Sequence, residues 1–489
     1  MKQTTRFLSL LLSLVLLVSC GEGANTGNGG TDGVTDEDLY RIVTPETMPE
    51  IHITTEDGDN SWATRYDRED KLAGLIEYTD ARISVKACDA AYALTEEEAE
   101  VKVRGNYTLD YDKKPIRIKF KKKNGMLGMN EGEAYKNWVL LADWKDPSMT
   151  RNALTFYLGN AILGQDGYYT SDFRVVEVYL NGAYWGVYLL AEQQEAKEGR
   201  ASAPEVEKGY TGTDIGYFFE FDGYYMYEKN SPDGDPTLEM RYGGGRNGLR
   251  GYTVKSDINS DEQLAFLKNY LDCVYLLINR ANYQRLYYKF NEDKTAILLD
   301  GECKSAKDAV CAVIDIDSLV DTYILNELAC DLDLDFSSFY FSLDMTEGGK
   351  QKLVFEAPWD FDSAYGIWRG ICNDAEGMYA MERGNPWFEL FDGVAWFEEL
   401  VEEKWAKLKA QGVLDTAASL ITRLESQYGQ NYIKNNDRWE KRLTEGHGSL
   451  IPELETFNDS TRAQALASAQ LAAWFDRRVA YLDGVWSKE

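Results

Sequence analysis

Histidine is nearly missing: the 489-residue chain has two, His52 and His447. Serine and cysteine hydrolases draw their general base from histidine, and zinc hydrolases draw metal ligands from it, so both classes are set aside. Chemistry here must run on carboxylates, Lys, Arg or hydroxyls. Cysteines are present but never in CxxC pairs, so they carry no structural-zinc spacing. A chain this long buries a core of its own and has no need of a disulfide scaffold. One local bridge, Cys303 to Cys311, is compatible with a hairpin-like stretch; the other thiols are expected to be free and buried. Positive charge is short as well. The formal net charge is -30, a field that repels nucleic acid and anionic lipid, so no nucleic-acid partner is expected.

No apolar run reaches the roughly 20 residues of a membrane-spanning helix. The longest, Phe7 to Val18, follows Lys2 and Arg6 and ends at Leu17-Val18-Ser19-Cys20. Basic residues, a short apolar segment and then a small residue form an export leader. The Cys after Leu-Val-Ser resembles a bacterial lipobox, with ordinary cleavage as the alternative. The expected layout is a leader over 1–19, lipid attachment at Cys20, a Gly-rich tether to residue 47, and one domain over 48–489. That predicts a protein on the extracytoplasmic face of the cell membrane, touching it only through the anchor.

Period-2 alternation marks strands at Pro49 to Thr54, Arg82 to Ala87, Glu98 to Val103 and Pro115 to Phe120, and Asn137 to Ala142 is a compact apolar strand. Phe173 to Leu190 reads as a hairpin about Asn181-Gly182, and Gly216 to Asp222 as a further strand. Pro147 to Leu163 reads as a helix with Pro near its first turn. From Ser260 the period changes. Asp261 to Asn279, Ile316 to Asp331 and much of the chain beyond Pro386 read as helix, with short strands at Ser338 to Leu343 and Lys352 to Glu356. The fold class is α+β, with a sheet-rich part over 48–259 and a helix-rich part over 260–489.

Three constellations could carry chemistry. The first is acidic: Asp331-Leu332-Asp333-Leu334-Asp335, then Trp359-Asp360-Phe361-Asp362 after a short hairpin. Asp360 and Asp362 are wedged among Val354, Phe355, Trp359, Phe361 and Tyr365, and acids in apolar surroundings need a partner or a metal. Converging carboxylates without histidine suit Mg²⁺, which takes oxygen ligands. The reading against it is solvated turn acids in a very acidic chain. The second is basic: Lys102-Val103-Arg104-Gly105-Asn106, with Lys119 on the next strand. A Gly turn lets backbone N–H groups approach a phosphate, although a lone turn with lysines is more often an ordinary hairpin. The third, Lys136-Asn137-Trp138 with Asp146 and Arg151, fits a core tryptophan and a helix cap as well as it fits a site.

At these residues the chain resembles the CotH (spore coat protein H) kinase family. The motifs that carry the resemblance are Arg104-Gly105-Asn106, Lys114 to Phe120, Asn137 to Ala142 with Asp146 and Arg151-Asn152, Tyr179 to Leu190 with Glu192, Asn326-Glu327-Leu328, and Trp359 to Asp362, in the family order. The resemblance implies an atypical, two-lobed protein-kinase-like fold that transfers the γ-phosphate of ATP, with Mg²⁺ or Mn²⁺, to Ser or Thr of a protein partner. It implies Asp333 as catalytic base, Asp360 as metal ligand and Asp362 in its support. Lys119 would neutralise the phosphates, Arg104, Gly105 and Asn106 would cover them, and Glu192 would sit near the nucleotide edge. The chain departs from the family in Tyr107-Thr108-Leu109 after the Arg-Gly-Asn turn and in Asp331 where Asn is usual. The 147–163 helix has no Glu to form a kinase Lys–Glu pair. The other reading is a surface protein on a weak or inactive kinase fold, with loops such as Tyr224 to Tyr227 serving adhesion.

Overall fold

The computed structural model describes residues 47–231, 234–243, 250–367, 373–443 and 459–487. The leader, Cys20 and the tether up to residue 46 lie outside the described residues, as do Cys372 and His447. Among the described residues no helix is long and apolar enough to cross a membrane.

The alternating segments close into a seven-stranded barrel in the order β1-β2-β3-β4-β5-β7-β6. Its strands are β1 (Glu50–Thr55), β2 (Thr79–Lys86), β3 (Leu94–Val103), β4 (Ile116–Asn124), β5 (Tyr135–Leu141), β6 (Phe173–Leu180) and β7 (Ala183–Glu192). Neighbours run antiparallel except at the seam, where β1 lies parallel to β6. Alternation sends Ile51, Ile83, Val101, Ile118, Leu140, Val178 and Leu190 into a core of the barrel's own. Trp138 completes that core and donates from Nε1 to the Asn124 carbonyl at 3.1 Å. The β6–β7 turn has φ of 49° at Asn181 and 80° at Gly182, the left-handed backbone that a two-residue hairpin requires.

A second sheet has the order β14-β13-β8-β10-β9. It is built from β8 (Gly216–Asp222), β9 (Thr237–Glu239), β10 (Gly251–Val254), β13 (Phe339–Asp344) and β14 (Leu353–Glu356), while β11 (Tyr288–Phe290) and β12 (Ile297–Leu299) pair with each other. This corrects the expected boundary at 259/260, which cuts through the second sheet. Phe219 and Phe221 of β8 find their cross-strand partners in Phe341 and Phe339 of β13, and the resulting apolar core runs on to Trp486. The buried residues of the barrel core all precede residue 192, with Trp439 packing against them from the helical part.

Among the described residues six long helices pack around this sheet and against the barrel: α1 (Arg151–Ile162), α2 (Asp261–Asn279), α3 (Ile316–Ala329), α4 (Ala395–Ala410), α5 (Val413–Arg438) and α6 (Ser460–Trp486). Helix α2 opens on a capping box, in which Ser260 accepts from the Gln263 amide and Gln263 reaches back to the Ser260 amide. Helix α1 begins at Arg151 rather than at Pro147. The Asp146 carboxylate gathers the amides of Ser148 (2.9 Å), Thr150 (2.7 Å) and Arg151 (2.7 Å), and Met149, at φ 60°, cannot be helical. Helix α3 stops at Ala329 because Cys330 is left-handed at φ 47°. Cys303 and Cys311 are free thiols, since Cys311 ends a short helix (Ala306–Cys311) instead of one arm of a hairpin. Of the five described cysteines only Cys330 is buried; the other four are partly exposed.

Candidate active site

Between one end of the barrel and the second sheet lies a cleft of about 460 Å³. The barrel contributes the end of β3, the turn at Gly105, the start of β4 and the end of β5. The second sheet contributes Glu220, Asp222, Lys255 and Tyr340, and two loops deliver Asp333, Asp360 and Asp362.

Asp333 sits in the turn after α3, its amide donating to Asp331 Oδ1 at 3.2 Å. Its neighbour Asp335 is occupied elsewhere, in ion pairs with Arg383 (2.9 Å) and Arg250 (3.7 Å). Asp360 follows β14 with φ at 68°, a conformation held against its intrinsic cost. Helix α1 does the holding. Asn152 Oδ1 accepts from the Phe361 amide at 2.7 Å, and its Nδ2 donates to Asp143 Oδ1 at 2.6 Å. From the residue before it, Arg151 Nε donates to the Ala364 carbonyl at 3.0 Å, and one turn along the Thr155 hydroxyl meets Tyr365 at 2.7 Å. A single helix end thus ties the tip of β5 to the Asp360–Asp362 segment.

Electrostatics mark the same place. Burial, then repulsion from Asp362 and Asp333, pushes the Asp360 carboxyl up to about 7, with Lys145 and Arg104 pulling the other way. Burial also raises Asp362 and Asp333, and Lys145 is the largest opposing influence on each. Asp331, buried beside Asp333, is held well above the ordinary carboxylate range. Clustered shifts of this kind are characteristic of functional sites.

The Arg-Gly-Asn turn faces these acids. Arg104 lies over the Trp359 ring at 5.7 Å, and its amide donates to the Pro115 carbonyl at 3.0 Å. Gly105 has φ of 112°, and a side chain there would run into the Thr108 hydroxyl. Asn106 accepts from Lys71, which also pairs with Glu228 at 2.9 Å across the mouth.

Two expected residues lie elsewhere. Lys119 is half exposed, 3.6 Å from Glu100 and 5.1 Å from the Tyr78 ring centroid. Its place at the cleft is taken by Arg117, two residues back on the same face of β4 and hydrogen-bonded to Asn137 Oδ1 at 3.1 Å. Glu192 is buried behind the wall, 3.3 Å from Arg200 Nε, and accepts from Asn130 (2.7 Å) and the Asp172 amide (3.0 Å). The three residues after it, Gln193 to Glu195, do line the cleft. Asp146 and Arg151 form a fully buried pair that caps α1, a structural role.

Several cleft residues had gone unread. Asp143, at φ 46°, is pushed up to about 7 by burial and by Asp146; its only sequence signal was its position just past an apolar strand. Lys145 follows in the same loop. Asp222 is likewise raised to about 7 by burial and by Glu220, and accepts from the Thr253 hydroxyl at 2.7 Å. Lys255 pairs with Glu220 at 3.3 Å. The cleft therefore holds a Lys–Glu pair, built on the second sheet and not on α1.

Among the described residues no group of three or more His, Cys, Asp or Glu side chains is drawn together closely enough to hold a metal ion by itself. Mg²⁺ asks for less: one or two carboxylates, with water and substrate phosphate completing the shell. Asp360 and Asp362 fit that requirement, being hard oxygen donors whose mutual repulsion a cation relieves. A family model described as CotH kinase protein matches residues 101–482. A search of curated proteins finds no match.

Proposed function

The chain belongs to the CotH kinase protein family, and on that premise we propose that it is an exported, lipid-anchored protein kinase that phosphorylates Ser or Thr of a protein partner. The observation that carries this reading is the meeting of Asp333, Asp360 and Asp362 on one wall of the cleft, with Lys145 as their shared counter-charge and Arg104 opposite. Phosphoryl transfer needs little covalent help from a protein; it needs positioning and charge neutralisation.

Each residue then has a task. Asp333 accepts the proton of the acceptor hydroxyl as its oxygen bonds to the γ-phosphorus and the bond to the departing nucleoside diphosphate breaks. Asp360, supported by Asp362, would hold Mg²⁺ or Mn²⁺, which when bound screens the phosphate charge. Arg104, Arg117 and Lys145 neutralise the phosphates, the work expected of Lys119. The turn at Gly105 brings backbone close to them. The barrel and the second sheet act as the two lobes on either side of the nucleotide, and the tether from Cys20 holds the domain outside the membrane.

The test is label transfer from γ-labelled ATP to a Ser/Thr-containing acceptor. Asp333→Asn should lower transfer by at least about 100-fold, the scale of a lost general base, with the melting temperature and nucleotide affinity kept. Transfer at the wild-type rate would remove Asp333 from this role. No binding of ATP by the wild-type protein at all would favour an adhesion protein on an inactive kinase fold.

A further inference from the structure

A smaller cavity opens off the mouth of the cleft. It measures about 230 Å³, below the roughly 300–1,000 Å³ of sites that enclose a whole small molecule and suited to one large side chain. Two short helices wall it: Arg68–Leu72, between β1 and β2, and Tyr225–Asn230, between β8 and β9. Lys71, Asn106, Tyr224, Glu228 and Ser231 line both this cavity and the cleft, so the two are continuous.

Most of the charge in its walls is already matched. Lys71 pairs with Glu228 at 2.9 Å, and Arg68 with Asp110 at 3.4 Å. The apolar surface is not covered: Leu72 is 36% exposed and Tyr227 54%. Open apolar groups rimmed by polar ones mark interaction sites, and tyrosine is enriched among the residues that carry such contacts.

Tyr224 fixes which end of the cleft this is. Its ring meets Phe336 edge-on at 4.8 Å, and the Phe336 amide donates to the Asp333 carbonyl at 2.7 Å. Burial first, and then the Asp333 charge, pushes the Tyr224 phenol up to about 12, while Arg68 on the cavity wall pulls it down. The cavity therefore lies beside Asp333, where the acceptor hydroxyl arrives. An extended chain carries side chains of one face about 7 Å apart, so a residue close in sequence to that hydroxyl reaches the cavity.

We propose that this cavity docks the acceptor polypeptide, taking one large apolar side chain, aromatic or leucine-like, that lies close in sequence to the phosphorylated Ser or Thr. The assignment rests on the protein-kinase reading above and gives the Tyr224 to Tyr227 segment a part in substrate choice instead of adhesion.

The test is label transfer from γ-labelled ATP by the full chain to a library of Ser- and Thr-centred peptides, one flanking position fixed at a time and the others degenerate. Wild type should favour Phe, Tyr or Leu over Ala about ten-fold at one flanking position, the scale of burying one such side chain. Tyr227→Ala and Leu72→Ala should remove that preference, and Tyr227→Phe should keep it. The preference is a ratio within each variant, so a general change in rate does not move it. A labelled library without an apolar preference would overturn the assignment and leave the kinase reading standing, as would a preference that survives both Ala variants. Enrichment of Lys or Arg instead would give the cavity to Glu69 and overturn the apolar assignment. Loss of all labelling in both Ala variants would mean a structural role and do the same. A library that wild type leaves unlabelled removes the kinase reading, and the docking cavity with it.

Discussion

Replacing Asp360 by Asn should stabilise the ligand-free protein at pH 8 while abolishing its response to Mg-ATP. In the folded chain the Asp360 carboxyl is pushed from 3.8 to about 7, by burial first and then by Asp362 and Asp333. A group whose folded value lies above its unfolded one keeps an extra proton in the native state. Its contribution to stability is therefore whole below about pH 4 and is lost as the pH rises through about 7. At pH 8 the interval corresponds to a ceiling of about 4 kcal/mol against folding. Asp360 is partly exposed, and Asn also forfeits the attraction of Lys145 and Arg104, so a gain of about 1–3 kcal/mol is expected once screening is allowed for. At about 2–4 °C per kcal/mol, the variant should melt roughly 3–8 °C above wild type at pH 8. At pH 5 the folded carboxyl is protonated but the unfolded one is already ionised, so about four-tenths of the gap, roughly 1–3 °C, should remain. Thermal melts at both pH values, with and without Mg-ATP, measure all of this. A variant that melts below wild type at pH 8, or gains as much at pH 5, would refute the reasoning; a retained Mg-ATP shift would take Asp360 out of the metal site.

Lys145→Ala should weaken ATP binding about ten-fold or more by calorimetry, the loss of one charge-assisted contact, whereas Lys119→Ala should change it less than about two-fold. Glu327→Ala should lower stability in urea melts by about 3–5 kcal/mol, because it strands Arg478, its fully buried partner at 2.7 Å. Asn152→Ala should cost about 1–3 kcal/mol, and transfer should fall by more than that instability explains, since both Asp143 and the Phe361 amide lose their tether.

The barrel was legible because period-2 alternation records which face of each strand is buried. Helix α2 was legible to the residue because Ser260 and Gln263 announce its start. Strands β9 and β10, at three and four residues, were too short to show a period, and the pairing of β8 with β13 joins segments more than a hundred residues apart. That is why the expected boundary fell inside a sheet. In the site, Asp360 and Asp362 stood out by their apolar surroundings and Asp333 through the family resemblance, and the structure brings all three to the cleft. The cations were harder. Arg117 and Lys119 share a face of β4, and only the position of the barrel's end decides which of them reaches the cleft. Asp143 and Lys145 occupy a loop whose direction no local pattern encodes.

The separate core of the barrel sets an order of assembly. Every fully buried residue of that core has emerged once the chain reaches Glu192, and only the half-buried Trp439 packs against it from later in the chain. The opposite wall cannot be finished so early. Arg478, on the last helix, donates to Glu327 and to the carbonyls of Ala375 and Gly377, so the ground beneath the acidic loops sets only when the C-terminus arrives. Contacts of such long sequence separation form slowly. A nascent or truncated chain therefore holds a finished Arg-Gly-Asn turn facing an unfinished partner, and the cleft is incomplete until its final helix docks.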